Sequence, residues 1–407
     1  LSNLAALARK DYRFEGWFTE SSGGEKITTE TVFKQDTMIY AHWTYVGDSG
    51  SKDDGSGSSS VPRVSTAKTE TIVTGNTAVI KVATTVDSKG RATSKVTQEQ
   101  INEAVKMAKE ASSKTEKVHI DIKISGDKGA STIETIITEN SIKDISSENL
   151  GSLTISGDVG CITFDEASVG TIFDSSVGDV TITIAKADIS KFSDEIREKT
   201  GNHPLYDFSV KKGSKSVSEF GGNVTVSVPY TLKAGEDINA IIIYYINDKN
   251  ELEIVTNGRY DDKTGNMVFN TNHFSTYAIG HNKMIFNDVA EEAWYQGAVT
   301  FIAARNFTSG TGNDNFSPDA SLTRGQFITL LLKAYEIKGD ASFENNFADA
   351  GNTYYTDYLA TAKKLGISEG IGNNLFGPER EITREDMFVM LYKTLEITEQ
   401  LPKVMSE

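Results

Sequence analysis

Residues 310–337 and 370–397 are one stretch written twice, sixty positions apart. Gly310, Gly312, Asn313, Phe316, Pro318, Thr323, Arg324, Leu331, Lys333, Glu336 and Ile337 recur as Gly370, Gly372, Asn373, Phe376, Pro378, Thr383, Arg384, Leu391, Lys393, Glu396 and Ile397. Upstream, "FNDV" (Phe286–Val289) matches "FADA" (Phe347–Ala350) after a one-residue insertion. A repeat of this size is one supersecondary unit used more than once. The spacing predicts a helix after "FNDV" with Trp294, Ala298, Phe301 and Ile302 on one apolar face. A Gly-rich turn and a proline follow. Thr323 or Thr383 then caps a second helix. Thr323 with Gln326 fits a capping box, and Thr383 with Asp386 is a weaker version. The second helix is expected to bury Phe327, Leu330, Leu331 and Ala334 in the first copy, and Met387, Met390 and Leu391 in the second.

Each copy places an arginine, Arg324 or Arg384, at the first helical position. A cation there opposes the helix macrodipole by about 0.3 to 1 kcal/mol. The same place offers free N–H groups to an anion. Two readings follow. Each arginine serves an anionic ligand, or each pairs with a nearby carboxylate such as Asp288 or Asp349.

The combination of "FNDV", the "WY" pair, Gly-x-Gly, "FSPD" and Leu-Thr-Arg resembles the S-layer homology domain over about 55 residues per copy. That family's signature Ile-Thr-Arg-Ala-Glu reads Leu-Thr-Arg-Gly-Gln here in the first copy and Ile-Thr-Arg-Glu-Asp in the second. The resemblance implies an all-α repeat pair, 283–338 and 343–398, with 399–407 leading into a third copy. It implies non-covalent binding to an anionic, pyruvylated secondary cell-wall polysaccharide. In that picture Arg324 and Arg384, with Gln326 beside them, face the ligand carboxylate. Asp288 and Asp349 bind sugar hydroxyls or position the arginine. Trp294 and Tyr355 (or Tyr354) offer aromatic faces. Gly310, Gly312, Gly370 and Gly372 let the backbone approach the sugar. A core position for Trp294 and a plain turn role for the glycines are the competing readings.

The rest of the chain is expected to be β-rich. "GDSGSKDDGSGSSS" within 46–61 has no apolar residue and reads as a flexible tether. Before it, at 1–45, aromatic runs "YRFEGWFT" and "MIYAHWT" suggest two or three strands around Phe14, Trp17, Tyr40 and Trp43. They resemble the Listeria–Bacteroides repeat of internalin-type surface proteins, with His42 where that family usually has lysine. From 62 to 282, Val118, Ile120, Ile122 and Ile124 alternate as in a half-buried strand. "DVTITIA", "NVTVSVPY" and "NAIIIYYIN" continue the pattern, and Gly265 sits in a turn between strands. Two helices are predicted, one capped by Thr97 with Gln100 and one near 189–199. The stretch 221–280 resembles a β module common in clostridial and paenibacillal surface proteins. The expected architecture is therefore multidomain: a small β module, a linker, a β-rich (α+β) middle and a helical repeat pair.

Composition narrows the function. The net charge of −16 argues against a broad nucleic-acid footprint and against docking on an anionic membrane. Local arginines can still bind an anionic polymer, because charges beyond about 8 Å are largely screened. One cysteine, Cys161, allows no disulfide framework within the chain and no cysteine-based metal site. The five histidines are scattered, with no H-E-x-x-H, Walker or G-x-S-x-G motif. Asp165 and Glu166 form one carboxylate pair of the kind a glycosidase needs, but a turn or helix start is the preferred reading. "GNDN" and "DDKTGN" lack full EF-hand spacing. The expectation is a non-catalytic surface protein without cofactor or metal, starting at Leu1 as a fragment. Its β modules would meet a host or extracellular glycan or protein.

Overall fold

The computed structural model describes residues 12–19, 25–28, 31, 39–45, 70–112, 116–139, 150–173, 178–201 and 203–402. The chain forms two compact units, Leu1–Ser65 and Thr66–Glu407. The expected tether at 46–61 lies outside the described residues, as do residues 403–407 of the expected lead-in. In the first unit, Tyr12–Phe18 pairs antiparallel with Tyr40–Tyr45. A bulge falls at Gly16, whose φ of +130° suits glycine. Phe18 stacks on His42 at 4.0 Å, and Ile27 is buried against this pair of strands. Of the aromatic residues expected to form a core here, Trp17 and Tyr40 are half-buried. The side chains of Phe14 and Trp43 lie outside the description.

The second unit begins with two eight-stranded sheets. One runs, edge to edge, through Arg259–Asp261, Asn266–His273, Glu219–Pro229, Gly160–Asp165, Ser152–Gly157, His119–Ser125, Thr77–Ala83 and Glu70–Thr74. The other runs through Leu252–Val255, Ile241–Ile246, Thr276–His281, Leu205–Lys212, Val180–Lys186, Thr132–Ile137 and Arg91–Val96, with Lys215–Val217 paired beside Leu205–Lys212. Most pairs are antiparallel. Three are parallel, and Thr77–Ala83 beside His119–Ser125 is one of them. A parallel pair needs a crossover. Here it includes a strand of the opposite sheet and helix α1 (Gln98–Ala111).

The predicted alternation holds: Ile120, Ile122 and Ile124 point inward and join Phe164, Phe208, Phe269 and Tyr277 from both sheets in one core. The capping box of α1 forms, with Gln100 Oε1 accepting from Thr97 N at 2.8 Å, and Ile101, Ala104, Val105 and Ala108 are its buried face. Helix α2 (Glu166–Phe173) is an addition to the two helices expected. Asp165 starts it by accepting from Ser168 N and, across the sheet, from Asn223 N, each at 2.8 Å. Both oxygens thus serve backbone, in line with the preferred reading of "TFDEAS". The helix expected at 189–199 splits into a 3-10 turn, Ile189–Lys191, and α3 (Asp194–Thr200). Ser193 accepts from Ile196 N and so begins a new helix rather than continuing the old turn.

The repeats contribute α4 (Gln296–Ala304), α5 (Arg324–Ala334), α6 (Thr356–Lys364) and α7 (Arg384–Ile397). The all-α expectation is corrected here. Loops make up most of this region, and two isolated bridges occur, Gly312–Asn315 and Thr323–Glu381. The Gly- and Asn-rich segments adopt positive φ at Asn313, Asp314, Asn373 and Asn374, which no helix accommodates. The buried faces also shift. Helix α4 buries Val299, Thr300, Ala303 and Ala304 rather than the expected set, and Trp294 precedes the helix. Helix α5 buries Ile328, Thr329, Leu331 and Leu332, while Ala334 is exposed.

The first repeat is locked to the β sheets by Arg305, which is 1% exposed. Its guanidinium donates to Gly258 O (2.6 and 2.8 Å), Asn239 O (2.9 Å), Ile241 O (2.9 Å) and Phe301 O (3.1 Å), and it lies 3.6 Å over the Phe301 ring. Among the described residues, its hydrogen bonds all go to carbonyls. Burial pulls its pKa down to about 10, so it remains a cation at neutral pH. The equivalent of Arg305 in the second copy is Leu365, which is exposed and carries no donor. We expect Arg305→Met to leave several buried carbonyls without a donor, at about 1–3 kcal/mol each. A urea titration of the full chain should show the unfolding midpoint fall by the equivalent of at least about 3 kcal/mol. A midpoint within error of wild type would contradict this role.

Candidate functional site

The two repeats share one device, a carboxylate that ties their Phe-x-Pro turn. Asp288 accepts from Phe316 N (2.8 Å) and Ser317 N (2.7 Å). Asp349 accepts from Phe376 N and Gly377 N, both at 2.8 Å. The backbone N–H of Phe316, with that of Ser317, holds the Asp288 carboxyl below the usual carboxylate range. These aspartates therefore brace backbone, and neither is the ion-pair partner of an arginine that the alternative reading expected. Gly310 and Gly370 close the same turn. A Cβ at Gly310 would stand 2.3 Å from Asn315 O, and one at Gly370 2.2 Å from Leu375 O. Gly312 (φ +107°) and Gly372 (φ +97°) have open space around them and are set by backbone conformation alone.

Arg324 departs from the expectation of a ligand-facing cation. It is 3% exposed and points into the second repeat. Its Nε donates to Phe376 O at 2.9 Å, its guanidinium sits 4.8 Å from the Phe376 ring centroid, and Nη1 lies 2.7 Å from Asp386 Oδ2. That last contact is an ion pair poorly aligned as a hydrogen bond. The start of α5 is likewise closed. Arg324 N donates to Arg380 O and Gly325 N to Pro378 O, both at 2.9 Å, and Gln326 N donates to Thr323 Oγ1 at 3.2 Å. No amide is left for an anion, because the second repeat's turn supplies the acceptors. Asp349 thus positions Arg324 indirectly, through the Phe376 carbonyl. Gln326 is spent on the predicted capping box, accepting from Thr323 N at 2.9 Å.

Arg384 behaves differently. It is exposed, and among the described residues nothing holds its guanidinium or accepts from its N–H or that of Glu385. Asp386 caps the helix through Thr383, whose Oγ1 accepts from Asp386 N at 3.1 Å. Burial works to raise the Asp386 pKa, but the close Arg324 guanidinium and the hydrogen bonds with Thr383 outweigh it and hold the carboxyl low.

The aromatic expectations also change. Trp294 is 94% exposed, which overturns its reading as core. Its structural equivalent is Tyr354, 61% exposed. Each packs edge-on against the next residue, Tyr295 or Tyr355. Tyr355 is buried, with its hydroxyl donating to Glu379 Oε1 at 2.5 Å, so it is not the sugar-facing ring it was expected to be. The surface-facing candidates that remain are Trp294, Tyr354 and Arg384. The sequence offered Tyr355 or Tyr354, and the structure makes Tyr354 the exposed ring of the pair. The signal was present, since the offset of sixty maps Trp294 onto Tyr354.

Against family models, residues 285–328 and 346–388 match the S-layer homology domain, and residues 1–42 match the Listeria-Bacteroides repeat domain. An amylopullulanase of Thermoanaerobacterium thermosulfurigenes is 30% identical over 191 residues, covering 46% of this chain and 10% of the relative. An exoglucanase XynX of Acetivibrio thermocellus is 27% identical over 201 residues, covering 46% and 18%. A surface-layer 125 kDa protein of Lysinibacillus sphaericus is 32% identical over 124 residues, covering 29% and 10%. This chain thus spans a tenth to a fifth of those relatives' lengths.

The two arginines should separate in stability measurements. Arg324→Ala leaves the Phe376 carbonyl and Asp386 without their buried cation and is expected to cost about 3–5 kcal/mol. Arg384→Ala should stay within about 0.5 kcal/mol of the parent. Chemical denaturation of both variants checks this, and similar losses would refute it. The low Asp386 pKa adds a pH signature. The stabilisation it brings is present above about pH 4, the ordinary carboxyl value, and is lost as pH falls through the lower folded value. In Arg324→Ala that acid-side loss should shrink.

Proposed function

We infer, for a chain that carries two S-layer homology domains and one Listeria–Bacteroides repeat, a role as a non-catalytic cell-surface protein. It is held non-covalently at the cell wall by its repeats, which bind secondary cell-wall polysaccharide and display the β-rich region outward. The observation that carries this reading is the duplicated module matched at 285–328 and 346–388. The relatives support the anchoring part. Their names include surface-layer proteins and polysaccharide-degrading enzymes alike. A segment common to such different proteins fits a shared location better than a shared reaction.

Within this reading the ligand is an acidic glycan carrying pyruvate. Trp294 and Tyr354 present apolar faces to sugar rings, and Arg384 presents a free planar guanidinium suited to a carboxylate. Arg324 contributes by holding the repeats together rather than by touching the glycan. A second reading concerns the β region. A cleft of about 610 Å³ there is lined by Glu219, Gly221, Gly222, Tyr245, Asn272 and His273, and Tyr245 and His273 pack edge to face at 4.8 Å. Aromatic walls beside a carboxylate and an amide suit a neutral glycan, which would make this region an adhesin.

Co-sedimentation with purified sacculi tests the anchor. The chain should pellet with intact sacculi and stay in solution with sacculi stripped of secondary polysaccharide. Trp294→Ala combined with Tyr354→Ala is expected to weaken pelleting about tenfold, near 1.4 kcal/mol. Equal pelleting with stripped walls would defeat the anchoring reading. For the cleft, a glycan array probed with the full chain and with Tyr245→Ala should differ only if that surface binds sugar.

A further inference from the structure

The segment Glu236–Ala240 bridges the β-rich region and the first repeat, and two histidines hold it. Asp237 opens its 3-10 turn, Ile238–Ala240. Toward the repeat, Asp237 Oδ2 accepts from Gln296 Nε2 of α4 and pairs with Lys283 Nζ, each at 3.5 Å. Asn239 O accepts from Arg305 at 2.9 Å, and a Cβ added at Gly297 of α4 would stand 3.0 Å from Asn239 Nδ2. Ala240 O accepts from Asn282 N at 2.9 Å, and Asn282 Nδ2 donates to Ala304 O at 2.8 Å. A shift of this segment is therefore a shift of the joint.

The two histidines meet this segment in opposite protonation states. His203 lies just after α3, with its Nδ1 2.6 Å from Thr200 O and its Nε2 2.7 Å from Glu236 Oε1. A carbonyl only accepts, so Nδ1 carries a proton. The other oxygen of Glu236 accepts from the Tyr230 hydroxyl at 2.5 Å and from Lys233 N at 2.8 Å. Burial works to raise the Glu236 pKa, but the hydrogen bonds from Tyr230, Lys233 N and His203 outweigh it and keep the carboxyl ionised. Nε2 of His203 then donates as well, and the ring is an imidazolium. His281 ends the strand Thr276–His281 and does the reverse. Its Nε2 accepts from Asp237 N at 3.2 Å, so that nitrogen carries no proton. Burial pulls the His281 pKa below the ordinary histidine value. The charges of His203 and Lys283 act in the same direction, and those of Glu236 and Asp237 oppose them.

We propose that His281 is an acid-sensitive latch on the joint between the β-rich region and the first repeat, and that protonation of its Nε2 opens the joint. His281 is half-buried, so a proton can reach it. A proton on Nε2 would set two N–H groups head to head across 3.2 Å, in the field of an existing imidazolium. The Asp237 amide must then withdraw. It takes with it the Asn239 and Ala240 carbonyls that face Arg305 and Asn282. The closed joint selects neutral His281. Its stabilisation is therefore complete above about pH 6.5, the ordinary histidine value, and is lost as pH falls through the lower folded value. With one proton involved, the ratio of closed to open joint falls by at most about tenfold per pH unit. This proposal does not depend on what the repeats bind at the wall.

Hydrogen exchange of the full chain from about pH 7.5 to about pH 5, corrected for intrinsic exchange rates, is the test. Peptides covering 237–240 and α4 should lose protection on the acid side, by up to about tenfold per pH unit. His281→Gln offers an acceptor in place of Nε2 without titrating. It should keep the neutral-pH protection and flatten the acid response. His119→Gln, in the other sheet, should respond as the parent does. Nitrogen-15 imidazole spectra of the parent chain give a second reading that needs no variant to fold. At about pH 7 they should show His203 protonated at both nitrogens and His281 neutral, with its proton on Nδ1. An acid response that persists in His281→Gln overturns the proposal. So does a His281 ring already doubly protonated at about pH 7. Protonation of His281 without loss of protection in α4 overturns it too.

Discussion

A helix cannot begin inside a protein without acceptors for its first amides, and a guanidinium cannot be buried there without more of them. Helix α5 meets both demands with a single turn of the next repeat. Arg380 O and Pro378 O take its first two amides, and Phe376 O takes the Arg324 Nε. The rest of the repeat pair follows from this joint. Asp349 must hold the turn so that its carbonyls face α5. Gly370 must lack a side chain so that the turn can close. Gly325 must lack one so that the turn can approach. The unfavourable placement of a cation at a helix start is offset by carbonyls, an aromatic face and Asp386.

A second buried arginine solves a different problem by the same chemistry. Arg305 ties the first repeat to the β sheets through carbonyls of Gly258, Asn239 and Ile241, at the end of α4. Planar, multiply donating guanidinium suits a junction of irregular backbone better than a point charge would. Together the two arginines join sheet to first repeat and first repeat to second.

Much of the local structure was legible. The alternation of Ile120, Ile122 and Ile124, the Thr97–Gln100 and Thr323–Gln326 capping boxes, the turn at Gly265 and the duplication itself all rest on interactions within a few residues. Misjudged positions share a cause. Periodicity identifies residues on one helical face but not which neighbour that face meets. Thus Ala334, expected in the core, lies exposed, whereas Arg324, open between an anionic ligand and a carboxylate partner, lies buried against the carboxylate of Asp386. Trp294 looked like core because large aromatic rings usually are, yet it precedes its helix and faces solvent. Helix α2 is short, and its start depends on Asn223, 58 residues beyond Asp165, so it left little local trace.

By itself the sequence determined the repeat, its capped helices, its braced turns and the β-rich region ahead of it, because each is encoded in short-range spacing and turn chemistry. Only the tertiary structure decided that Arg324 is a buried joint, while Arg384 is exposed among the described residues. Arg324 and Arg384 both follow a capping threonine at the first helical position. What separates them is whether the next turn arrives to cover the helix start, and that depends on packing between segments some fifty residues apart.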